Sequence, residues 1–180
     1  NLSHIYRNDN GAFTRDFDQN LVLLRYSALA WGDPDADGDL DLVISGMSIG
    51  GNPRTILYRN ARINAARLGS PLGGRSVLEE DVPNTQRLIN LNRGNLEWGD
   101  IDNDGDIDLA VSGFGTGGPR QAQIYLNQPT GTLIQDQRIT DLKPVSTGDL
   151  TWGDYDNDGD LDLVLSGWSN EWEATLNLYT

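Results

Sequence analysis

The sequence predicts an all-β protein in which a unit of four short antiparallel strands recurs about three times. An acidic motif occurs three times, at spacings of 67 and 54 residues. A weaker pattern of short alternating segments, most of them carrying a tyrosine, recurs around it. Support for helices is confined to one stretch, Asn60–Leu68, which contains three alanines. Together these observations favour short strands joined by turns over a helical fold.

The acidic motif has the same layout in all three copies. Each copy begins with Trp-Gly, continues through a loop of five aspartates and ends in an apolar stretch closed by Ser-Gly. This order predicts a strand that ends at Trp-Gly, a tight acidic loop and a returning buried strand. The copies are Trp31–Gly46, Trp98–Gly113 and Trp152–Gly167.

The weaker pattern predicts the remaining strands of each unit. Its copies are His4–Asn8, Ile56–Asn60, Ile124–Asn127 and Leu176–Tyr179. Glycine-rich turns lead into them, and Asn10-Gly11 and Thr130-Gly131 predict tight turns into a closing strand. Four antiparallel strands repeated in this way are typical of a β-propeller blade.

The repeats divide the chain, 1–180, as a single propeller segment. Residues 1–18 would end one blade, 19–83 and 84–142 would form two complete blades, and 143–180 would form an incomplete one. The first interval exceeds the second by 67 − 54 = 13 residues. We therefore expect an insertion near 60–75, where the helix-like stretch lies.

Composition and charge exclude several classes of function. The 27 acidic and 13 basic residues give a net charge of −14, which argues against nucleic acid and anionic membrane surfaces as partners. The absence of cysteine excludes disulfides, zinc–thiolate sites and thiol catalysis. No apolar run is long enough to predict a membrane span.

The acidic loops have the oxygen spacing of a calcium site. Counted from the first aspartate, side-chain oxygens fall at positions 1, 3, 5 and 9, and a glycine at position 6 permits the sharp turn. Position 7 would contribute its backbone carbonyl. Position 12 is apolar and lies in a strand, which rejects an EF-hand, and magnesium prefers sites that retain more water. The candidate ligands for three Ca²⁺ ions are Asp33, Asp35, Asp37, Asp39, Asp41, Asp100, Asp102, Asp104, Asp106, Asp108, Asp154, Asp156, Asp158, Asp160 and Asp162.

The alternative is that these loops are ordinary solvated turns, since aspartate and glycine are good turn formers. Three copies in the same strand–loop–strand setting count against that interpretation. Five carboxylates in one tight turn would also repel one another without a cation.

The motifs resemble the FG-GAP/VCBS repeats of integrin-α-like β-propellers. The acidic loops carry the resemblance, together with Phe114–Pro119, which is close to the motif that names the family. The resemblance implies calcium ligands in all three loops and a ring of about seven blades. Because about three blades are present here, we expect either part of a longer propeller or copies that pair edge to edge.

These observations lead to a calcium-binding repeat module with a structural, adhesion or self-assembly role outside the cell, where calcium is millimolar, and without catalysis. The alternatives are a lectin of the integrin-like propeller type and a non-catalytic part of a larger secreted enzyme. Protein or glycan partners are both compatible with the sequence. Trp168 and Trp172, which have no counterparts in the other repeats, would form the sugar-binding surface, whereas Trp31, Trp98 and Trp152 should pack between blades.

Overall fold

The protein is all-β, and its strands form a series of antiparallel sheets. The computed structural model describes residues 3–17, 19–63 and 75–180. A two-stranded hairpin comes first, formed by β1 (Ile5–Asp9) and β2 (Ala12–Asp16). The turn between them is the predicted one: Asn10 and Gly11 have φ of 55° and 94°, the left-handed backbone that an Asn-Gly hairpin turn requires.

Two four-stranded sheets follow, each with its strands in chain order. The first consists of β3 (Leu24–Gly32), β4 (Asp41–Ser48), β5 (Pro53–Ile63) and β6 (Arg75–Glu80). After the short helix α1 (Val82–Thr85), the second consists of β7 (Asn92–Gly99), β8 (Asp108–Phe114), β9 (Arg120–Gln128) and β10 (Thr132–Gln135).

The last sheet has three strands: β11 (Ser146–Gly153), β12 (Asp162–Trp168) and β13 (Ala174–Tyr179). In each of these three sheets the first strand ends at the Trp-Gly pair, and the second begins at the last aspartate of the acidic loop. Each loop therefore joins the first two strands at the same end of its sheet, as the sequence predicts.

The apolar strands are buried on both faces because the sheets stack. Val43, in the middle of β4, packs toward the second sheet in a cluster with Leu96 and Leu109. Its neighbours Leu42 and Ile44 point the other way and pack toward Ile5 of the hairpin. A third cluster, which includes Ala110 and Leu163, joins the second and third sheets. Burying side chains of this size contributes about 1.5–3 kcal/mol each.

The helix-like interpretation of Asn60–Leu68 is wrong for its first residues. Asn60 to Ile63 extend β5 and pair with β6, because cross-strand pairing outweighs the modest helix preference of alanine. Residues 64–74, which contain most of the expected insertion, lie outside the described residues. In the described part of the chain, no helix is long and apolar enough to cross a membrane.

Candidate metal centres

The second and third acidic loops each bring three carboxylates together. Oxygens of Asp100, Asp102 and Asp108 lie within 4.8 Å of one another, and those of Asp154, Asp156 and Asp162 do the same. Two oxygens that are each 2.3–2.6 Å from one calcium ion are at most about 5 Å apart. The three oxygens in each loop therefore fit the first shell of a calcium ion, at loop positions 1, 3 and 9.

Backbone hydrogen bonds to the aspartates fold the loops. The Asp100 carboxylate accepts the N–H groups of Asp104 and Gly105, both at 3.1 Å, and Asp104 accepts the N–H of Asp106 at 2.9 Å. Gly105 has a φ of 95°, which explains the glycine at position 6. The third loop repeats the last contact, with Asp158 accepting the N–H of Asp160 at 2.9 Å.

Asp108, at position 9, is buried at the start of β8. Its two oxygens accept the N–H groups of Asn127 at 2.7 Å and Ile101 at 3.0 Å. Burial raises the pKa of Asp108 to about 6, and the negative charges of Asp102 and Asp104 also raise it, although the two N–H donors act against this. A buried carboxylate beside two others is stabilised in its charged form by a cation.

The first loop is built differently. Asp33 accepts the N–H groups of Asp37 and Gly38 at 3.1 and 3.0 Å, as its counterpart does in the second loop. However, the carboxylates that come together here belong to Asp33, Asp35 and Asp37, which are positions 1, 3 and 5. Asp41, at position 9, is buried like its counterparts, but it is not part of this cluster. Its Oδ2 instead accepts a hydrogen bond from Nη1 of Arg59 at 2.6 Å.

Comparison with known protein families gives a match in this region. Residues 100–165 match the family described as the FG-GAP-like repeat. This part of the chain is similar to an FG-GAP-like repeat. The match includes the second acidic loop, all of the strand that follows it, and the third loop up to Leu165. No curated protein and no solved structure gave a match.

The matched segment therefore contains both loops whose carboxylates meet at positions 1, 3 and 9. The sequence prediction that calcium binds there is compatible with the geometry. Ligation stays a prediction for all fifteen candidates, and six of them lie outside the three clusters: Asp39, Asp41, Asp104, Asp106, Asp158 and Asp160. Asp160 instead accepts a hydrogen bond from Asn103 of the neighbouring loop, at 2.8 Å.

Sequence reasoning missed Arg59 as a part of the first site. Its guanidinium contacts Asp41, and also lies 3.5 Å from Asp35 and 3.0 Å from Asp81. The sequence does contain a difference that points to Arg59. This arginine follows the tyrosine of β5, whereas the equivalent residue of β9, which follows Tyr125, is Leu126. Motif spacing did not reveal it because the arginine lies 18 residues beyond the loop.

The repeated tryptophans take their predicted packing role in two cases. Trp98 packs against Gly32, and Trp152 against Gly99: a Cβ placed on these glycines would lie 2.7 and 2.9 Å from the Cδ1 atoms of the two rings. The prediction is wrong for Trp31, which is 45% exposed, because no sheet carrying a Trp-Gly pair precedes it among the described residues.

Proposed function

We propose that this chain is a calcium-binding repeat module with a structural or adhesive role outside the cell, and that it carries out no catalysis. The observation that supports it best is the meeting of three carboxylate oxygens within 4.8 Å in each loop of the FG-GAP-like repeat. Extracellular calcium is concentrated enough to fill sites of modest affinity.

The charge distribution supports the same proposal. The three loops carry 15 of the 27 acidic residues, which leaves 12 acids against 13 bases elsewhere. Bound calcium would neutralise charge where it is most concentrated and would leave the remaining surface nearly neutral. Such a surface suits a protein or glycan partner better than the net charge alone indicates.

A thermal melt with calcium and with a chelator tests the proposal. An ion that binds only the folded protein stabilises it by about 2.7 kcal/mol per site at 100 times the dissociation constant. For a chain of this size, each kcal/mol raises the melting temperature by about 2–4 °C. We expect a rise of roughly 5–10 °C for each filled site with calcium, and a smaller one with magnesium at equal ionic strength. Equal midpoints in calcium and chelator would contradict calcium binding.

A lectin is the second candidate. Trp172 is 72% exposed, and the Arg120 guanidinium lies over one face of its ring, 4.6 Å from the ring centroid. A sugar could pack against the other face of the ring. Binding to a glycan array that disappears in Trp172→Ala would favour this function over a purely structural one.

The exposed faces at the two ends of the sheet stack favour a further copy of the repeat as a binding partner. Leu29 of β3 is 62% exposed, whereas its equivalents Leu96 and Leu150 are 7% and 3% exposed under the preceding sheet. At the other end, a Cβ on Gly153 would meet nothing within 4 Å, although the equivalent glycines each receive a tryptophan. We propose that a further repeat covers these faces, from a longer chain or from a second copy.

A further inference from the structure

The position 9 aspartates of the three loops do not have the same hydrogen-bond donors. In the second loop, Oδ2 of Asp108 accepts the backbone N–H of Ile101, and in the third, Oδ2 of Asp162 accepts that of Tyr155 at 2.6 Å. The residue at the same place in the first loop is Pro34, which has no N–H. Oδ2 of Asp41 therefore lacks the donor that its two counterparts use.

Arg59 supplies the missing donor. Its Nη1 lies 2.6 Å from Oδ2 of Asp41 and 3.5 Å from Oδ2 of Asp35. Asp35 and Asp41 occupy positions 3 and 9, and the residues at these positions belong to the carboxylate clusters of the other two loops. A fixed positive charge thus lies between the two carboxylates that calcium would bridge.

The guanidinium is held by contacts outside the loop as well. Its Nε donates to Asp81 at 3.0 Å, just before α1, and its Nη2 donates to the carbonyl of Gly131 at 2.9 Å, in the turn between β9 and β10. The Arg59 side chain is only 18% exposed. Moving it aside for an ion would break charge-assisted hydrogen bonds to two other segments of the chain.

We propose that Arg59 is the built-in cation of the first loop, so that the chain binds two calcium ions and not three. This inference rests on the proposed calcium binding of the second and third loops. The Arg59 guanidinium supplies a positive charge 2.6 Å from Asp41, and a divalent ion close to it would be repelled. The residues of the first loop resemble those of the others in sequence, but do not fit the ion in the same way.

Counting bound ions by native mass spectrometry and calorimetry tests the proposal. We expect two Ca²⁺ for the unmodified chain and three for Arg59→Leu, which introduces the residue type present at position 126. Arg7→Leu is the matched control, because it removes an arginine that forms an ion pair with Asp9 in the hairpin, away from the acidic loops, and it should bind two. Three ions in the unmodified chain, or two in a folded Arg59→Leu, would overturn the inference. No bound ion in any variant would instead contradict the proposed function, and with it this inference.

A second pair of variants tests the proposal even if Arg59→Leu does not fold. Asp41→Asn and Asp162→Asn change equivalent residues of the first and third loops. We expect Asp41→Asn to retain two ions and Asp162→Asn to retain one. Loss of an ion from Asp41→Asn would show that Asp41 is a ligand and would overturn the proposal, as would two ions in Asp162→Asn.

Discussion

The environment of Asp102 indicates that the acidic loop without calcium lowers the stability of the folded chain. Burial raises the pKa of its carboxyl, and the nearby charge of Asp104, followed by that of Asp100, raises it further. The backbone N–H of Asp104 offsets only part of this. Without an ion, the folded loop therefore holds like charges closer together than the unfolded chain does.

We predict that Asp102→Asn changes stability in opposite directions with and without calcium. In chelator, the neutral amide removes repulsion, and the melting temperature should stay the same or rise. In saturating calcium, the loss of one site should cost about 2–3 kcal/mol of unfolding free energy.

Asp9→Asn serves as the control, because Asp9 is paired with Arg7 in the hairpin and lies in no acidic loop. Its effect should be small and equal in both conditions. An equal loss of stability in both conditions for Asp102→Asn would show that the residue has a structural role only.

The sequence predicts the loops well and their differences poorly. Alternate aspartates and a glycine determine the local turn, and the turn alone brings positions 1 and 3 together. The role of Arg59 depends on a strand that pairs beside the loop, and the effect of Pro34 appears only when the donors to three equivalent carboxylates are compared. Both depend on contacts between distant parts of the chain, which spacing does not encode.

At the scale of elements, the first strands of the three larger sheets, β3, β7 and β11, share a bulge that the sequence does not predict. Tyr26, Arg93 and Thr147 have φ of 52°, 50° and 56°, and each lies where the register of its strand shifts. Left-handed backbone usually selects glycine or asparagine, and a β-branched residue is rare there. Pairing with the neighbouring strand imposes this conformation against local preference, so residue type gives no signal for it.

The packing of β3 on β7 depends on the absence of a side chain at Gly32. A Cβ at this position would lie 2.7 Å from Cδ1 of Trp98 and 2.8 Å from Cδ1 of Ile107. We predict that Gly32→Ala lowers the unfolding free energy by about 1–3 kcal/mol, measured by denaturant titration, because the ring must shift.

Gly153→Ala is the matched control for this prediction. It occupies the same place in β11, but a Cβ there would meet nothing within 4 Å. Its unfolding free energy should be unchanged or slightly higher, since alanine restricts the unfolded chain. Equal losses for the two variants would mean that the contact with Trp98 is not what makes Gly32 necessary.

At the scale of the whole molecule, the two ends of the stack are complementary. One end presents the exposed rings and side chains of Trp31, Leu29 and Leu40, and the other presents Gly153 with Leu176 and Leu178, which are 73% and 40% exposed. Inside the stack, the same combination of a tryptophan and an aliphatic side chain against a glycine occurs twice. Exposed apolar faces of this kind favour association.

We predict that the chain associates head to tail in calcium, with a mass that rises with concentration in analytical ultracentrifugation. Gly153→Leu should weaken association by filling the position that Trp31 of another copy would occupy. Gly50→Leu, at an exposed turn where a Cβ meets nothing closer than 3.9 Å, should not. A chain that is monomeric at every concentration would contradict self-association.

The contact between tryptophan and glycine also bears on how such a chain changes length during evolution. The middle unit carries Trp98, which packs against Gly32 of the unit before it, and Gly99, which receives Trp152 of the unit after it. Duplication or deletion of a whole unit as one block of coding sequence therefore restores every junction between units without a compensating substitution. Selection can adjust the number of units separately from the residues that join them.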